Sequence, residues 1–142
     1  MEAPLVSILM STYNETPKEL DESINSILHQ TYSNFEFLII NDNPNNCELE
    51  ETLKTYVDSR IRIIRNEKNL GLVKSLNAGL KLCEGQYVAR MDADDISRQS
   101  RIQDELLYLK KNHLDMIGSY IETIDEHGET IKSLMRFPEK HN

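Results

Sequence analysis

An early stretch, Leu5-Val6-Ser7-Ile8-Leu9-Met10, is an apolar run that passes directly into the polar Ser11-Thr12-Tyr13-Asn14-Glu15. A short apolar run rich in β-branched residues is typical of a strand buried on both faces, as in a parallel sheet. The polar residues then predict a loop at the carboxyl end of that strand. Thr16 follows as a predicted helix N-cap, with Pro17 at the first helical position and Glu19 completing a capping box.

The alternation of an apolar run and an amphipathic segment repeats along the chain. Apolar runs at residues 35–40, 61–65 and 86–89 predict three more strands. Apolar residues at helical spacing predict helices from Pro17 to Thr31, from Leu49 to Val57, from Gly71 to Gly85 and, with Ser97 as N-cap, through to Lys111. Four such alternations indicate βαβ units, and therefore an α/β fold with a mainly parallel sheet flanked by helices.

Two further features refine this predicted fold. Gly79 lies inside the third helix, where glycine costs stability, so we expect that helix to pack closely against a neighbour. After the fourth helix, residues 114–123 predict a strand, residues 126–129 a turn and residues 130–137 a returning strand, which together form a C-terminal hairpin. We expect residues 1–142 to form one domain.

The composition narrows the class of protein. Apolar residues make up 39% of the chain and charged residues 28%, which is typical of a globular protein. The formal net charge of −8 argues against nucleic acid as the main partner, because a phosphate backbone binds basic surfaces. No apolar run approaches membrane-spanning length and no leader opens the chain, so we expect a cytoplasmic protein without a membrane segment.

An acidic stretch, Arg90-Met91-Asp92-Ala93-Asp94-Asp95-Ile96-Ser97, follows the fourth predicted strand. Three carboxylates in four positions repel one another unless a cation or hydrogen-bond donors compensate them. Hard divalent cations take oxygen ligands, and two aspartates separated by one residue are able to share an ion or its water shell. The alternative is an acidic turn in which Asp95 or Ser97 caps the next helix. The eight residues alone leave both interpretations open.

Topology adds a second argument. In a parallel sheet, ligands gather at the carboxyl ends of the strands. Three predicted strands end in polar loops, at Ser11 to Glu15, Asn41 to Asn43 and Asp92 to Asp95, and two of these loops carry aspartate. We therefore expect the three loops to lie along one edge of the sheet and to form one binding site.

The chain resembles the family 2 glycosyltransferases, inverting enzymes with the Rossmann-like GT-A nucleotide-sugar-binding fold. The resemblance covers nearly the whole chain. It rests on the order and spacing of four segments: Val6 to Glu15, Ser26-Ile27-Leu28-His29-Gln30-Thr31-Tyr32, Asn69-Leu70-Gly71 with Ser75 to Leu80, and Ala89 to Asp95, which matches the DXD motif of the family.

The resemblance implies a set of donor-binding residues. Ser11, Thr12, Tyr13, Asn14 and Glu15 match the loop that cradles the base and ribose, and Asp42 matches the aspartate that recognises uracil. The family usually has two aspartates and a glycine at this place, whereas this chain has Asn41-Asp42-Asn43. Lys74 is the nearest basic substitute for an arginine that many members carry at the position of Leu76.

The acidic stretch gains a role from the same resemblance. Asp92, Ala93 and Asp94 match the DXD motif, with Asp92 facing the ribose, Asp94 binding Mg²⁺ or Mn²⁺, and Asp95 as a secondary candidate. Such a metal would stabilise the departing diphosphate, which this acidic chain cannot neutralise by itself. The sugar carbon would pass through an oxocarbenium-like state while an acceptor hydroxyl attacks it.

The implied function is transfer of a sugar from a UDP-sugar donor to a saccharide or lipid-linked acceptor in surface polysaccharide or glycolipid synthesis. Family members form a domain of more than ~200 residues, with the general base in the second half. We therefore expect this chain to be the donor half of a longer, truncated enzyme, with the base beyond Asn142 and the full-length protein at the inner face of the membrane. The alternative is a nucleotide-sugar-binding module without transferase activity. A nucleotidyltransferase would need a glycine-rich loop after the first strand, which Ser11 to Glu15 is not.

Overall fold

The computed structural model describes residues 3–131 and divides the chain into two compact units, Met1–Ile102 and Gln103–Asn142. The elements in chain order are β1 (Val6–Thr12), α1 (Pro17–Leu28), β2 (Phe35–Asn41), α2 (Cys47–Lys54), β3 (Ile61–Arg65), α3 (Leu72–Leu80), β4 (Tyr87–Asp92) and α4 (Arg101–Lys111). All four strands belong to one parallel sheet of order β3-β2-β1-β4. The predicted α/β fold is confirmed.

The two central strands form the core of the first unit. All seven residues of β2 are buried, and Ile8 and Met10 of β1 are fully buried. Each fully buried aliphatic or aromatic side chain contributes about 1.5–3 kcal/mol relative to its exposed state. The core therefore holds the middle of the sheet rigidly and positions the strand ends where the polar loops begin.

Helix α3 approaches β1 and β2 at Gly79. A Cβ atom at this position would lie 2.5 Å from Leu9 Cδ1 and 3.2 Å from Ile40 Cδ1. Any larger residue there would force the ends of the Leu9 and Ile40 side chains to move. The predicted close packing at Gly79 is confirmed.

Helix α1 begins as predicted. The Thr16 side chain accepts a hydrogen bond from the Glu19 backbone N–H, and the Glu19 carboxylate accepts one from the Thr16 backbone N–H at 2.8 Å. These reciprocal bonds satisfy N–H groups that would otherwise lack a partner at the first turn. Leu20, Ile24 and Ile27 are fully buried along one face of the helix.

A buried polar network joins the amino ends of β1 and β2 to the turn before β4. The Glu36 carboxylate accepts hydrogen bonds from the Ser7 hydroxyl, from Glu84 N at 2.6 Å and from the Arg62 guanidinium at 2.9 Å. Burial raises the pKa of Glu36, but the bonds from Ser7, Glu84 and Arg62 lower it overall. Gly85 N donates to Ser7 Oγ at 2.8 Å, which completes the connection to β4.

The ends of the first three helices differ from the sequence prediction. Helix α1 ends at Leu28 rather than near Thr31. Helix α2 ends at Lys54, and Val57, which was expected on its buried face, is 92% exposed. Helix α3 ends at Leu80 rather than at Gly85. Gly85 is instead needed for close approach, because a Cβ there would lie 2.5 Å from the Ser7 backbone nitrogen.

The predicted N-cap of α4 is also wrong. The helix begins at Arg101, four positions after Ser97. Ser97 N donates to Ser26 Oγ at 2.9 Å, and Ser97 Oγ accepts a bond from the Gln30 side chain at 3.2 Å. Ser97 therefore serves as a contact to α1 and its following residues.

The second unit contains a turn but no regular strand among its described residues. Ile124 and Thr130 form an isolated antiparallel bridge, and the Asp125 carboxylate accepts hydrogen bonds from His127 N and Glu129 N, both at 2.9 Å. Residues 114–123 are not the predicted strand, and their apolar side chains, such as Met116 at 85% exposure, are largely in contact with solvent. Most of the predicted returning strand lies outside the described residues. Between residues 3 and 131, no helix is long and apolar enough to cross a membrane.

Candidate functional site

The polar loops meet at the carboxyl edge of the sheet, as predicted. In the strand register, Ser11 of β1 pairs with Asp92 of β4, and Thr12 pairs with Asn41 of β2. The strand order changes direction between β1 and β4, because β2 and β3 lie on one side of β1 and β4 on the other. In open α/β sheets, this switch point is where ligands bind. The edge bounded by these loops is the candidate site.

The loop after β1 is held by Glu15. Its carboxylate accepts hydrogen bonds from the Thr12 hydroxyl at 2.6 Å and from Tyr13 N at 2.8 Å. Thr12 is buried, whereas Tyr13 is 44% exposed and Asn14 is also exposed. Thr12 and Glu15 therefore shape the loop, and Tyr13 and Asn14 present their side chains to solvent, where a ligand has access to them.

Asn43 links the loops after β1 and β2. Its side-chain amide donates to Tyr13 O and to Asn14 Oδ1, both at 3.0 Å. Asn43 N in turn donates to Asn41 Oδ1 at 2.9 Å. The residue that replaces the usual family glycine thus fixes one loop against the other.

Asp42 connects β2 to the segment before α3. Asp42 Oδ1 accepts hydrogen bonds from Asn66 Nδ2 at 2.7 Å and from Leu70 N at 2.8 Å, and Oδ2 accepts one from Gly71 N at 2.8 Å. Burial raises the pKa of Asp42, but the bonds from Leu70, Asn66, Ser75 and Gly71 lower it overall. The carboxylate is therefore held in its charged form.

The burial of Asp42 limits how many of its carboxylate acceptor positions remain for a ligand. The residue is 2% exposed, and its carboxylate already serves the backbone N–H groups at the start of α3. A carboxylate has about four acceptor positions, so the protein itself uses most of them. The contact between Asp42 and a nucleotide base stays a prediction. The hydrogen bonds that the structure shows for the Asp42 carboxylate are those that hold residues 66–71 in place.

The acidic stretch ends β4 and forms a turn. Asp95 N donates to Asp92 O at 3.2 Å, Ala93 is buried, and Asp94 and Asp95 are exposed. Arg90 Nη2 lies 2.6 Å from Asp92 Oδ1, and this ion pair between exposed groups compensates one carboxylate. Asp94 is exposed just after the end of β4.

Negative charge dominates this turn. Partial burial and then the repulsion of Asp94 and Asp92 raise the pKa of Asp95, and Arg101 and Arg90 offset only part of this effect. Among residues 3–131, no group of three or more His, Cys, Asp or Glu side chains is arranged to hold a metal ion by itself. Oxygen donors from two aspartates nevertheless fit Mg²⁺ or Mn²⁺ when phosphate and water supply the remaining ligands.

Lys74 lies in the first turns of α3 and is exposed. Within the described part of the chain, no hydrogen bond or ion pair connects it to the other predicted site residues. The structure therefore leaves its predicted phosphate contact untested.

Three residues of the site were not predicted from sequence. Asn66 and Ser75 support Asp42, because Asn66 Nδ2 also donates to Ser75 Oγ at 2.9 Å. Gln30 contacts the segment that follows the acidic turn. Ser75 and Gln30 lie in segments that carry the family resemblance, which was the available signal for them. Asn66 gave no such signal, since a polar residue after a strand is common in any turn.

The fold defines the class of this protein as a Rossmann-like α/β protein with a candidate site at the carboxyl edge of the sheet, and the solved structures that it resembles are GT-A glycosyltransferases. S. aureus TarS, solved with UDP-GlcNAc, has a TM-score of 0.67 at 23% identity and is matched over 85% of this chain and 38% of its own. The mannosyltransferase PcManGT from Pyrobaculum calidifontis, solved with GDP-Man and Mn²⁺, has a TM-score of 0.66 at 20% identity, over 76% of this chain and 33% of its own.

The family follows from sequence. The family profile described as glycosyl transferase family 2 matches residues 7–141, and the chain belongs to that family. An uncharacterized glycosyltransferase from Methanocaldococcus jannaschii is 44% identical over 99% of this chain and 49% of its own length. The O-antigen biosynthesis glycosyltransferase WbnJ of Escherichia coli is 38% identical over 97% of this chain and 54% of its own. The chain thus spans about half the length of these relatives.

Proposed function

We propose that this chain binds the nucleotide-sugar donor, a UDP-sugar, of an inverting glycosyltransferase that builds a surface polysaccharide or glycolipid. The observation that carries the proposal is the register of the sheet, which sets Asp92 beside Ser11 and Thr12 beside Asn41 at the switch point. Family membership makes a nucleotide sugar the natural occupant of that edge. The named activities of two related proteins support the choice, since WbnJ acts in O-antigen biosynthesis and WfgD of Escherichia coli is a UDP-Glc-dependent glucosyltransferase.

The loops offer different groups to different parts of the donor. Tyr13 and Asn14 are exposed and would face the base and ribose, and Thr12 and Glu15 keep their loop in shape. In this proposal Asp42 holds the segment 66–71 and uses its remaining acceptor capacity for the base N–H. Ser11 and Ala93 contribute backbone at the strand ends, and Lys74 approaches the diphosphate from α3.

The acidic turn takes the metal in this proposal. Asp94 and Asp92 would hold Mg²⁺ or Mn²⁺, which neutralises charge on a departing diphosphate. The Mn²⁺ in the PcManGT structure supports this cofactor. The protein needs such a cation because its own net charge is −8 and Arg90 is already paired with Asp92.

Calorimetric titration of the chain with UDP, in the presence and absence of Mn²⁺, tests the donor site. We expect Mn²⁺ to raise the affinity for UDP at least ~10-fold, which is about 1.4 kcal/mol. Asp94→Asn should remove most of this gain, because it deletes one anionic ligand with little change in shape. Glu51→Gln is the matched control, since it removes one exposed carboxylate of α2 outside the site.

Either of two results would contradict the donor site. One is a UDP affinity that does not change when Mn²⁺ is added, and the other is a Mn²⁺-dependent gain in UDP affinity that is unchanged in Asp94→Asn. A separate incubation with radiolabelled UDP-sugars measures whether this chain also transfers a sugar. Binding without transfer would identify a donor-binding module, and transfer would identify a complete catalyst.

A further inference from the structure

Gln30, two positions after the last residue of α1, is 7% exposed and contacts the segment after the acidic turn. Its Nε2 donates to Ser97 Oγ at 3.2 Å, to Arg98 O at 2.7 Å and to Ser26 O at 3.0 Å. Its Oε1 accepts a bond from Ile102 N at 3.1 Å. The buried Gln30 amide therefore makes three hydrogen bonds to residues 97–102.

Two serines on the same face of α1 extend this contact. Ser23 Oγ donates to Asp92 O at 3.2 Å, and Ser26 Oγ accepts a bond from Ser97 N at 2.9 Å. Ser23 and Ser26 lie one turn apart on α1, and Gln30, just beyond the end of the helix, contacts the same segment. We name these three residues the α1 clamp, and residues 92–100 the acidic loop.

The clamp holds the acidic loop at both ends and leaves its middle free. Asp92 O is held at the first residue of the loop, and Ser97 and Arg98 are held beyond its carboxylates. The bonds of the clamp go to backbone atoms and to the Ser97 hydroxyl, and none of them uses a carboxylate oxygen. The exposed carboxylate of Asp94 thus stands between two fixed points.

A purely structural explanation is that a buried amide simply needs partners. All buried side-chain polar atoms of the described residues have one, so satisfaction alone does not distinguish Gln30. The distinguishing feature is where the four bonds go: one is local, to Ser26 O, and the other three all reach the six-residue segment 97–102, which follows the acidic turn. Hydrogen bonds that orient metal ligands typically contribute 10–100-fold to metal affinity, and the clamp would act on the backbone that carries such ligands.

We propose that Gln30 is a positioning residue that fixes the acidic loop so that Asp94 and Asp92 meet the metal and diphosphate of the donor. The proposal rests on the proposed function for the identity of the ligand. It assigns a role to the segment Ser26 to Tyr32, which carries the family resemblance but contains none of the predicted site residues.

Gln30→Met tests the proposal, because methionine keeps the length of the side chain and removes its hydrogen bonds. Hydrogen–deuterium exchange followed by mass spectrometry should show faster exchange in residues 97–102, by at least ~10-fold, since the three bonds from Gln30 to this segment are lost. Strands β1 and β2 should keep their protection. Ser26→Ala removes the bond to Ser97 N and a local bond to Ser23 O within α1, and it should give a milder version of the same change in a variant that retains the amide.

The second readout separates positioning from folding. The gain in UDP affinity that Mn²⁺ provides should fall at least ~10-fold in Gln30→Met, while UDP affinity without metal stays within twofold. Ser7→Ala is the matched control, because it breaks a buried network at the opposite, amino end of the sheet. It should lower stability and leave the Mn²⁺-dependent gain unchanged.

The outcomes distinguish this proposal from the proposed function. Unchanged exchange at residues 97–102 in Gln30→Met would contradict the clamp, as would faster exchange combined with an unchanged Mn²⁺-dependent gain. A wild-type chain that binds no UDP with Mn²⁺ would contradict the proposed function, and with it the role of the clamp in donor binding.

Discussion

Asp42 combines deep burial with a full charge, which few side chains tolerate without several donors. Its neighbours supply them from the Leu70 and Gly71 backbone and from the Asn66 side chain, at 2.7–2.8 Å. Hydrogen bonds to charged groups are worth about 1.5–3 kcal/mol each, and a buried N–H left without an acceptor costs about as much again. The segment 66–71 and the start of α3 therefore depend on a single residue of β2.

Asp42→Asn should destabilise the protein by about 3 kcal/mol. The asparagine amide turns an N–H toward a backbone N–H where a carboxylate oxygen accepted, so at least one donor loses its partner. Urea denaturation followed by circular dichroism measures the change. Glu51→Gln, an exposed change of equal charge on α2, should stay within about 0.5 kcal/mol of wild type.

The same variant addresses the predicted contact with the base. If Asp42 accepts the base N–H, the affinity for UDP should fall under conditions in which Asp42→Asn is still fully folded. Unchanged UDP affinity in the folded variant would restrict Asp42 to holding the loop. Unchanged stability, in turn, would contradict the structural role argued from its hydrogen bonds.

At the scale of elements, two glycines set how closely α3 and β4 approach the centre of the sheet. A Cβ at Gly79 would meet the ends of two flexible side chains, Leu9 and Ile40, whereas a Cβ at Gly85 would meet the Ser7 backbone nitrogen at 2.5 Å. Side chains have room to rearrange, but the backbone of a central strand does not. A side chain at Gly79 would therefore be tolerated better than one at Gly85, although the sequence shows both simply as glycines in or near α3.

Gly79→Ala should destabilise the protein by about 1–2 kcal/mol, although alanine normally stabilises a helix interior by about 1 kcal/mol relative to glycine. Gly85→Ala should cost more, about 3 kcal/mol, because the clash is with backbone. Gly118→Ala is the control, since no atom lies within 4 Å of the added Cβ and its effect should stay within about 0.5 kcal/mol. A Gly79→Ala variant that is more stable than wild type would contradict the close approach of α3.

At the scale of the whole molecule, the sequence predicted what depends on local pattern and on topology. Apolar runs located all four strands, and the rules of βαβ connection predicted that the loops after β1, β2 and β4 share one edge. The capping box at Thr16 predicted the start of α1 because both partners lie within four residues. These features need no knowledge of distant contacts.

Features that depend on distant contacts were missed or misplaced. Ser97 looked like an N-cap, but its N–H and hydroxyl bind Ser26 and Gln30, about seventy positions away. The bonds that Asp42 accepts from Leu70 N and Gly71 N, almost thirty positions away, were not predicted, while its contact with a base stays a prediction. Local sequence gives no sign of such partners, because a polar side chain in a turn is expected whether or not a buried neighbour uses it.

The buried and paired carboxylates make the stability of the molecule dependent on pH. Hydrogen bonds from the Arg60 side chain and then its backbone N–H, together with its charge, lower the pKa of Asp58 from 3.8 to about 2. The pKa values of Glu36 and Asp42 are lowered in the same direction. A carboxyl group whose pKa is lower in the folded state than in the unfolded state stabilises the fold fully above the unfolded value. That stabilisation is lost as the pH falls toward the folded value.

We therefore expect the free energy of unfolding to decrease steeply between about pH 4 and pH 2, and Asp58→Asn to reduce that decrease by about 1–2 kcal/mol. The full difference between pKa values of 3.8 and about 2 would correspond to a slightly larger free energy, but solvent screens the partly exposed pair of Asp58 and Arg60, whose side chains are 28% and 30% exposed.

Urea denaturation at pH 2.5, 3.5, 5 and 7 measures the profile for wild type, Asp58→Asn and the control Glu51→Gln. At pH 7 the Asp58→Asn variant should be the less stable one. The difference should shrink as the pH falls toward 2, because Asp58 is then protonated in the unfolded state and about half protonated in the folded state. Parallel profiles for wild type and Asp58→Asn would show that the ion pair with Arg60 contributes no pH-dependent stability.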